Sequence, residues 1–431
     1  MHGDCVEVQR FGQRHLAGVM AGKGGLELCH RTGLLQAREI SLPNNPHPTG
    51  AYTLWGTAHS FYTGKIRSYL VKKGVAFREL YPTHPQFQAR IVPAIGMMVV
   101  PVLETPDGQI LQDTTDMIDH VEARWPEPSM VPATPLQRAV AWLLGAFGSE
   151  GLLPAGMHYR WSYRAQQEDF LRAEFGRAVH VGPDRAQRRL AGQQLMNYFN
   201  GFLPMLGVTP DTIPTVEAAY LELLEALDIH FQHHPYLMGG RPSVADFGFM
   251  APLFAHLARD PVPATLMKNV APNVYRWTER MNMPGIGDGE FHDHPETYPP
   301  GDAIPSTLEP VLRLMFHDWG AELLANTEFY NAWIAANPGR PAGHLVSAGG
   351  EHKVHPTLGF INYTLRGCAI HRASAPHGLW HFDKAVAHAR TLEGPARERF
   401  AALVQRTGGE QVMAIRLARP LKRENYVLVL A

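Results

Sequence analysis

Cysteine is scarce, with three among 431 residues. Cys5, Cys29 and Cys368 form no Cys-x-x-Cys pair and no zinc spacing. That excludes a disulfide framework and a resident dithiol, and it suits a reducing compartment. Surplus charge is missing too. Lys and Arg number 39 against 40 Asp and Glu, a net of −1, which argues against nucleic acid or an anionic membrane as main partner. No apolar run reaches membrane-spanning length, and the N-terminus lacks a signal-peptide core. The expectation is a soluble, cytoplasmic protein of two or three domains, with apolar residues enough for real cores.

What is there is organised around residues 52–122. Tyr52-Thr53-Leu54-Trp55-Gly56 reads as a short strand ended by glycine. A polar, aromatic loop follows, then a helix from Gly64 with Ile66, Tyr69, Leu70 and Lys73 on one stripe and Gly74 as its C-cap. Val75–Tyr81 alternates as a second strand. Met98–Glu104 is a buried strand closed by the turn Thr105-Pro106-Asp107-Gly108. Pro101 inside it cannot donate to a ladder, and a cis bond there would turn the neighbouring backbone outward into a site. Ile110-Leu111 supplies a hairpin partner, and a helix covers Thr114–Arg124. Strand, helix, strand, hairpin and helix describe a thioredoxin-like α/β domain.

Four motifs in this order then make the segment resemble the N-terminal domain of the glutathione transferase superfamily. They are Lys65-Ile66-Arg67, Lys73-Gly74-Val75, Val100-Pro101-Val102-Leu103 and the acid-hydroxyl pair Asp113-Thr114. The family usually has Glu-Ser or Gln-Ser at the last of these. The resemblance implies that glutathione binds as co-substrate through the Val100 backbone beside Pro101, and through Asp113 and Thr114 at its γ-glutamyl end. It places Ser60 where serine- and cysteine-type members carry the activating residue, at a helix N-terminus that favours an anion. Ser60-Phe61-Tyr62-Thr63 stands where redox relatives have Cys-Pro-Tyr-Cys, so disulfide chemistry is disfavoured. A cap-only role for Ser60 is the alternative.

After Pro126-Glu127-Pro128 the pattern turns helical, with helices over Leu136–Gly145, Leu152–Tyr163, Gln166–Phe175, Asp184–Phe202 and Thr215–His230. Ser243-x-x-Asp246 before an apolar helix is a capping box with Asp for Glu. It matches the family's signature in its all-helical domain, with a structural role. His59, Tyr62, His158, Trp161 and Tyr163 are candidates for the acceptor-substrate pocket between the two domains. Glu290-Phe291-His292-Asp293-His294 has metal-like chemistry without a second cluster, so no metal is expected. Ala21-Gly22-Lys23-Gly24-Gly25 lacks the ending and preceding strand of a phosphate loop.

The expected organisation is a weakly structured extension (1–50), the glutathione-binding domain (51–125), an all-α glutathione-transferase-type domain (135–284) and an unmatched α+β appendage (305–431). In the appendage, helices are expected over Leu308–Leu324, Glu328–Ala336, Phe382–Arg390 and Pro395–Gln405, with a hairpin pairing Gln411–Leu417 and Tyr426–Leu430. The resemblance implies a homodimer and a transferase in which the glutathione thiolate attacks an electrophilic, hydrophobic or aromatic small molecule. A lyase, isomerase or etherase, or a non-catalytic assembly module, are the alternatives.

Overall fold

The computed structural model describes residues 50–180, 182–350 and 355–431. All of the expected N-terminal extension except Gly50, including the Gly-Lys-Gly-Gly loop, lies outside them.

Four strands, β1 (Tyr52–Trp55), β2 (Phe77–Leu80), β3 (Val102–Glu104) and β4 (Ile110–Gln112), form one sheet in the order β2-β1-β3-β4. β1 and β2 are parallel, joined by helix α1 (Phe61–Lys73); β3 is antiparallel to both β1 and β4. Strand pleating sends alternate residues to opposite faces. Leu54 and Leu103, paired in register, meet Ile66, Tyr69 and Leu70 of α1, while Trp55 and Val102 meet Phe87 and Ile91 on the other face. Gly74 ends α1 at φ 72°, donating to the carbonyls of Leu70 and Val71. The expected strand from Met98 is shorter than the sequence suggested. Pairing starts at Val102, directly after a cis Val100–Pro101 bond, and Met98 is exposed. Proline has no N–H for the ladder, which accounts for the late start. A short helix, α2 (Val92–Ile95), precedes it, and α3 (Thr114–Arg124) closes the unit.

The helical region comprises α4 (Pro135–Ala146), α5 (Leu153–Trp161), α6 (Arg164–Val179), α7 (Arg185–Asn200), α8 (Ile213–Phe231), α9 (Val244–Pro252), α10 (Pro261–Val270) and α11 (Pro272–Met281). α9 is apolar all round and sits at the centre, packed on both α1 and α4. Its approach to α4 needs glycine. A Cβ on Gly248 would stand 2.2 Å from the Gly145 carbonyl oxygen. No described helix is long and apolar enough to cross a membrane.

The third region holds α12 (Glu309–Leu314), α13 (Gly320–Ala336), a hairpin of β5 (Phe360–Leu365) and β6 (Cys368–Ala373), α14 (Pro376–Arg390), α15 (Gly394–Thr407), α16 (Glu410–Met413), and a hairpin of β7 (Leu421–Glu424) and β8 (Val427–Leu430). Two expectations are corrected here. Gln411 lies in α16, so the terminal hairpin is instead β7–β8, turning at Asn425 and Tyr426, both at positive φ. The β5–β6 hairpin was not anticipated; its two-residue turn, Arg366-Gly367, also has positive φ at both positions. α14 begins six residues earlier than expected, because Pro376 opens the helix rather than breaking it. α14 packs along α4 and is tied to α3 by Lys384, whose Nζ lies 2.6 Å from Asp119.

Candidate functional site

Ser60 caps α1. Its backbone is extended (φ −81°, ψ 129°), its side chain is partly exposed, and its Oγ accepts a 3.4 Å hydrogen bond from the Thr63 N–H. Two residues on, the Tyr62 hydroxyl donates to Glu150 Oε1 at 3.1 Å, and buried Lys65 donates to Ser149 Oγ at 3.1 Å. Both partners sit in the wide turn 147–151 that follows α4. Arg67 forms a two-pronged pair with Glu79, and Lys73 an ion pair with Glu122 at 2.8 Å.

Asp113 is the N-cap of α3 in a left-handed conformation (φ 82°), which few non-glycine residues adopt. Oδ1 accepts from the Thr115 N–H at 2.8 Å. Oδ2 faces three groups from the third region: His377 Nε2 at 3.2 Å, His381 Nε2 at 3.7 Å and Arg423 Nη1 at 3.7 Å. Glu150 faces the same histidines, with Oε2 3.8 Å from His377 Nδ1 and Oε1 3.6 Å from His381 Nε2. Arg423 also donates to the side chain of Gln112 and to the Tyr426 carbonyl. Tyr426 in turn donates to the Ile110 carbonyl and packs against the same apolar cluster as Val99 and Val100. The hairpin β7–β8 therefore runs along β4 from its Gln112 end, next to Asp113, to its Ile110 end, opposite Glu104.

The electrostatics follow from this crowding. Burial pushes the Asp113 carboxyl up, but the facing imidazoles of His377 and His381 outweigh it and hold it well below the usual carboxylate range. Glu150 responds likewise: burial opposes ionisation, and His381 and His377 bring it down to about 2. Burial disfavours charge on His377, yet the facing carboxylates of Asp113 and Glu150 raise it to about 9, whereas burial prevails at His381 and lowers it. At neutral pH the cluster holds two carboxylates and one imidazolium.

Of the residues singled out in the sequence, Pro101, Asp113 and Thr114 are buried at the β3–α3 side of the sheet, while Val100 is half-buried. Tyr62 reaches the Glu150 cluster. The other pocket candidates go elsewhere. His59 and Trp161 pack on Phe175, with ring centroids 4.2 and 5.3 Å away, and His158 and Tyr163 both bond Glu217 Oε1. His292 and Asp293 are exposed, and Glu290 pairs with Arg280 at 2.8 Å. Sequence reasoning missed Glu150, His377, His381 and Arg423. The one local signal was His377-x-x-x-His381, a spacing that places two imidazoles on one helical face.

Residues 54–129 match the family described as glutathione S-transferase, N-terminal domain, and residues 210–283 match glutathione S-transferase, C-terminal domain. No curated protein matches the chain. Solved structures that align with it include a glutathione S-transferase from Rhodospirillum rubrum F11, at 16% identity and TM-score 0.34, covering 59% of this chain and 96% of that one. The beta-etherase LigF from Sphingobium aligns at 18% identity and TM-score 0.34, covering 56% and 98%. A GST-like protein from Pseudomonas syringae aligns at 15% identity and TM-score 0.35, covering 77% and 98%. Residues 54–129 and 210–283 thus carry, in the family's order, matches to the two domains of the glutathione S-transferase family.

Proposed function

We propose that the protein is a glutathione-dependent transferase in which Ser60 stabilises the glutathione thiolate for attack on a small electrophile. The observation that carries this reading is Ser60 itself, a partly exposed hydroxyl on extended backbone at the N-terminal tip of the 13-residue α1. Unpaired N–H groups and the helix dipole favour an anion there. In this reading the Ser60 hydroxyl donates to the sulfur, the Val100 backbone pairs with the cysteinyl unit, and Asp113 takes the γ-glutamyl ammonium. The γ-glutamyl carboxylate lies at the tip of α3 beside Thr114, where Arg423 and protonated His377 add positive charge. The thiolate then forms the carbon–sulfur bond as the electrophile's leaving group departs with its electron pair. Lyase, isomerase and ether-cleaving chemistry start from the same thiolate, and Tyr62, two residues after Ser60, is the pocket candidate retained here. A homodimer is the expected assembly.

A second reading, a non-catalytic assembly module, is favoured by one observation: Asp113 Oδ2 already faces His377, His381 and Arg423. Glutathione must displace or share those contacts. Capture of the full chain on immobilised glutathione, followed by turnover of a generic aromatic halide, separates the two. The transferase reading expects wild type to be captured and active, Asp113→Ala to lose capture, and Ser60→Ala to keep capture while turnover falls about a hundredfold. Wild type neither captured nor active establishes the module instead.

A further inference from the structure

We propose that Asp113, His377 and His381 form a binding site for one divalent transition-metal cation of the zinc class, joining the third region to the tip of α3. One ligand atom from each of the three residues lies within 4.8 Å of the other two, and Asp113 Oδ2 faces the Nε2 atoms of both histidines. Two of the separations are 3.2 and 3.7 Å. A cation bound at its usual distance in near-tetrahedral geometry keeps its ligand atoms roughly 3.3 Å apart, so small movements suffice.

The remaining atoms of these side chains are disposed as supports. Asp113 Oδ1 is engaged by the Thr115 N–H, leaving Oδ2 for the cation. His381 Nδ1 is 3.4 Å from the Thr115 hydroxyl, and His377 Nδ1 is 3.8 Å from Glu150 Oε2, so both rings turn Nε2 towards Asp113. Ligating histidines are commonly oriented through their second nitrogen in this way. Glu150 Oε1, 3.6 Å from His381 Nε2 and bonded by the Tyr62 hydroxyl, borders the site as an outer carboxylate. Two imidazoles with carboxylate oxygen select zinc, cobalt or nickel over magnesium or calcium. Arg423 is the rival cation at Asp113, 3.7 Å from Oδ2, though its guanidinium also bonds Gln112 and Tyr426. A metal and the glutathione ammonium would exclude each other at Asp113.

The test is direct metal binding to the chelator-stripped full chain, measured as zinc retained after desalting and as the visible spectrum of added cobalt(II). Wild type should retain one zinc more than a His377→Ala/His381→Ala variant and show intense tetrahedral cobalt bands that the variant lacks. Should that variant fail to fold, Asp113→Asn keeps Oδ1 and the side-chain shape, and it should weaken zinc at least tenfold. Equal retention in wild type and variant, or Asp113→Asn binding zinc as tightly as wild type, overturns the site and leaves a protein-only ion network. Because the readout is metal, it can fail while glutathione binding stands, and the reverse.

Discussion

Two buried aspartates at helix N-termini have been treated in opposite ways. Asp246, in the capping box of α9, is satisfied entirely by neutral donors close by. These are the N–H groups of Leu237 and Ser243 at 2.8 and 2.9 Å, the Ser243 hydroxyl at 3.1 Å and Trp277 Nε1 at 3.2 Å. Among the described residues it has no ion-pair partner within 4 Å, and burial raises its carboxyl to about 6 despite those four bonds. Asp113 has one neutral backbone donor, and its other oxygen meets imidazole and guanidinium groups from far along the chain. Its carboxyl is held well below the ordinary range. Fixed neutral donors make a structural joint. Charged partners on a separate element make a contact between distant parts of the chain.

The comparison can be broken in several places. Asp246→Ala strands buried backbone and indole donors, and it should cost about 4 kcal/mol in urea unfolding. A loss below about 1 kcal/mol would mean that Asp246 is no joint at all. Next in size is acid lability. Burial lowers His230 to about 3, and burial assisted by Arg160 lowers His59 and His256 well below 6.5. Groups depressed in the folded state contribute stability above their unfolded value near 6.5 and lose it as pH falls towards the folded value. Each histidine should therefore subtract up to about 1.4 kcal/mol per pH unit below 6.5. Thermal unfolding of His230→Gln across that window should show a shallower slope than wild type, and parallel slopes would contradict it.

Asp113→Ala should cost less stability than Asp246→Ala, about 2 kcal/mol, because the partners it leaves retain Glu150, Gln112 and solvent. A loss matching that of Asp246→Ala in the same urea series would place both aspartates in one class. The smallest change belongs to Ser60→Ala. Its long 3.4 Å cap bond predicts no more than about 1 kcal/mol, so a larger shift in the unfolding midpoint would make Ser60 a structural cap first.

How much was readable in advance follows the same division. The capping box, the Ser60 cap and the Val100–Pro101 turn are recorded within a few neighbouring residues; the first was legible from spacing and the other two from the family resemblance of the motifs around them. The two matched domains were legible for the same reason. His377, His381 and Arg423 were not, because their relation to Asp113 spans more than 260 residues and no local period encodes it. Pro376-His377-Gly378 also reads as a loop, which hid the first turn of α14. The five pocket candidates show the converse. They look alike as a polar-aromatic set, yet Phe175 and Glu217 draw four of them to two separate places.

Arg423 meets Gln112 across 311 residues of chain. At the usual pace of translation that separation amounts to about 15–60 s. For most of that interval the strand–helix corner is already outside the ribosome while its roof is still message.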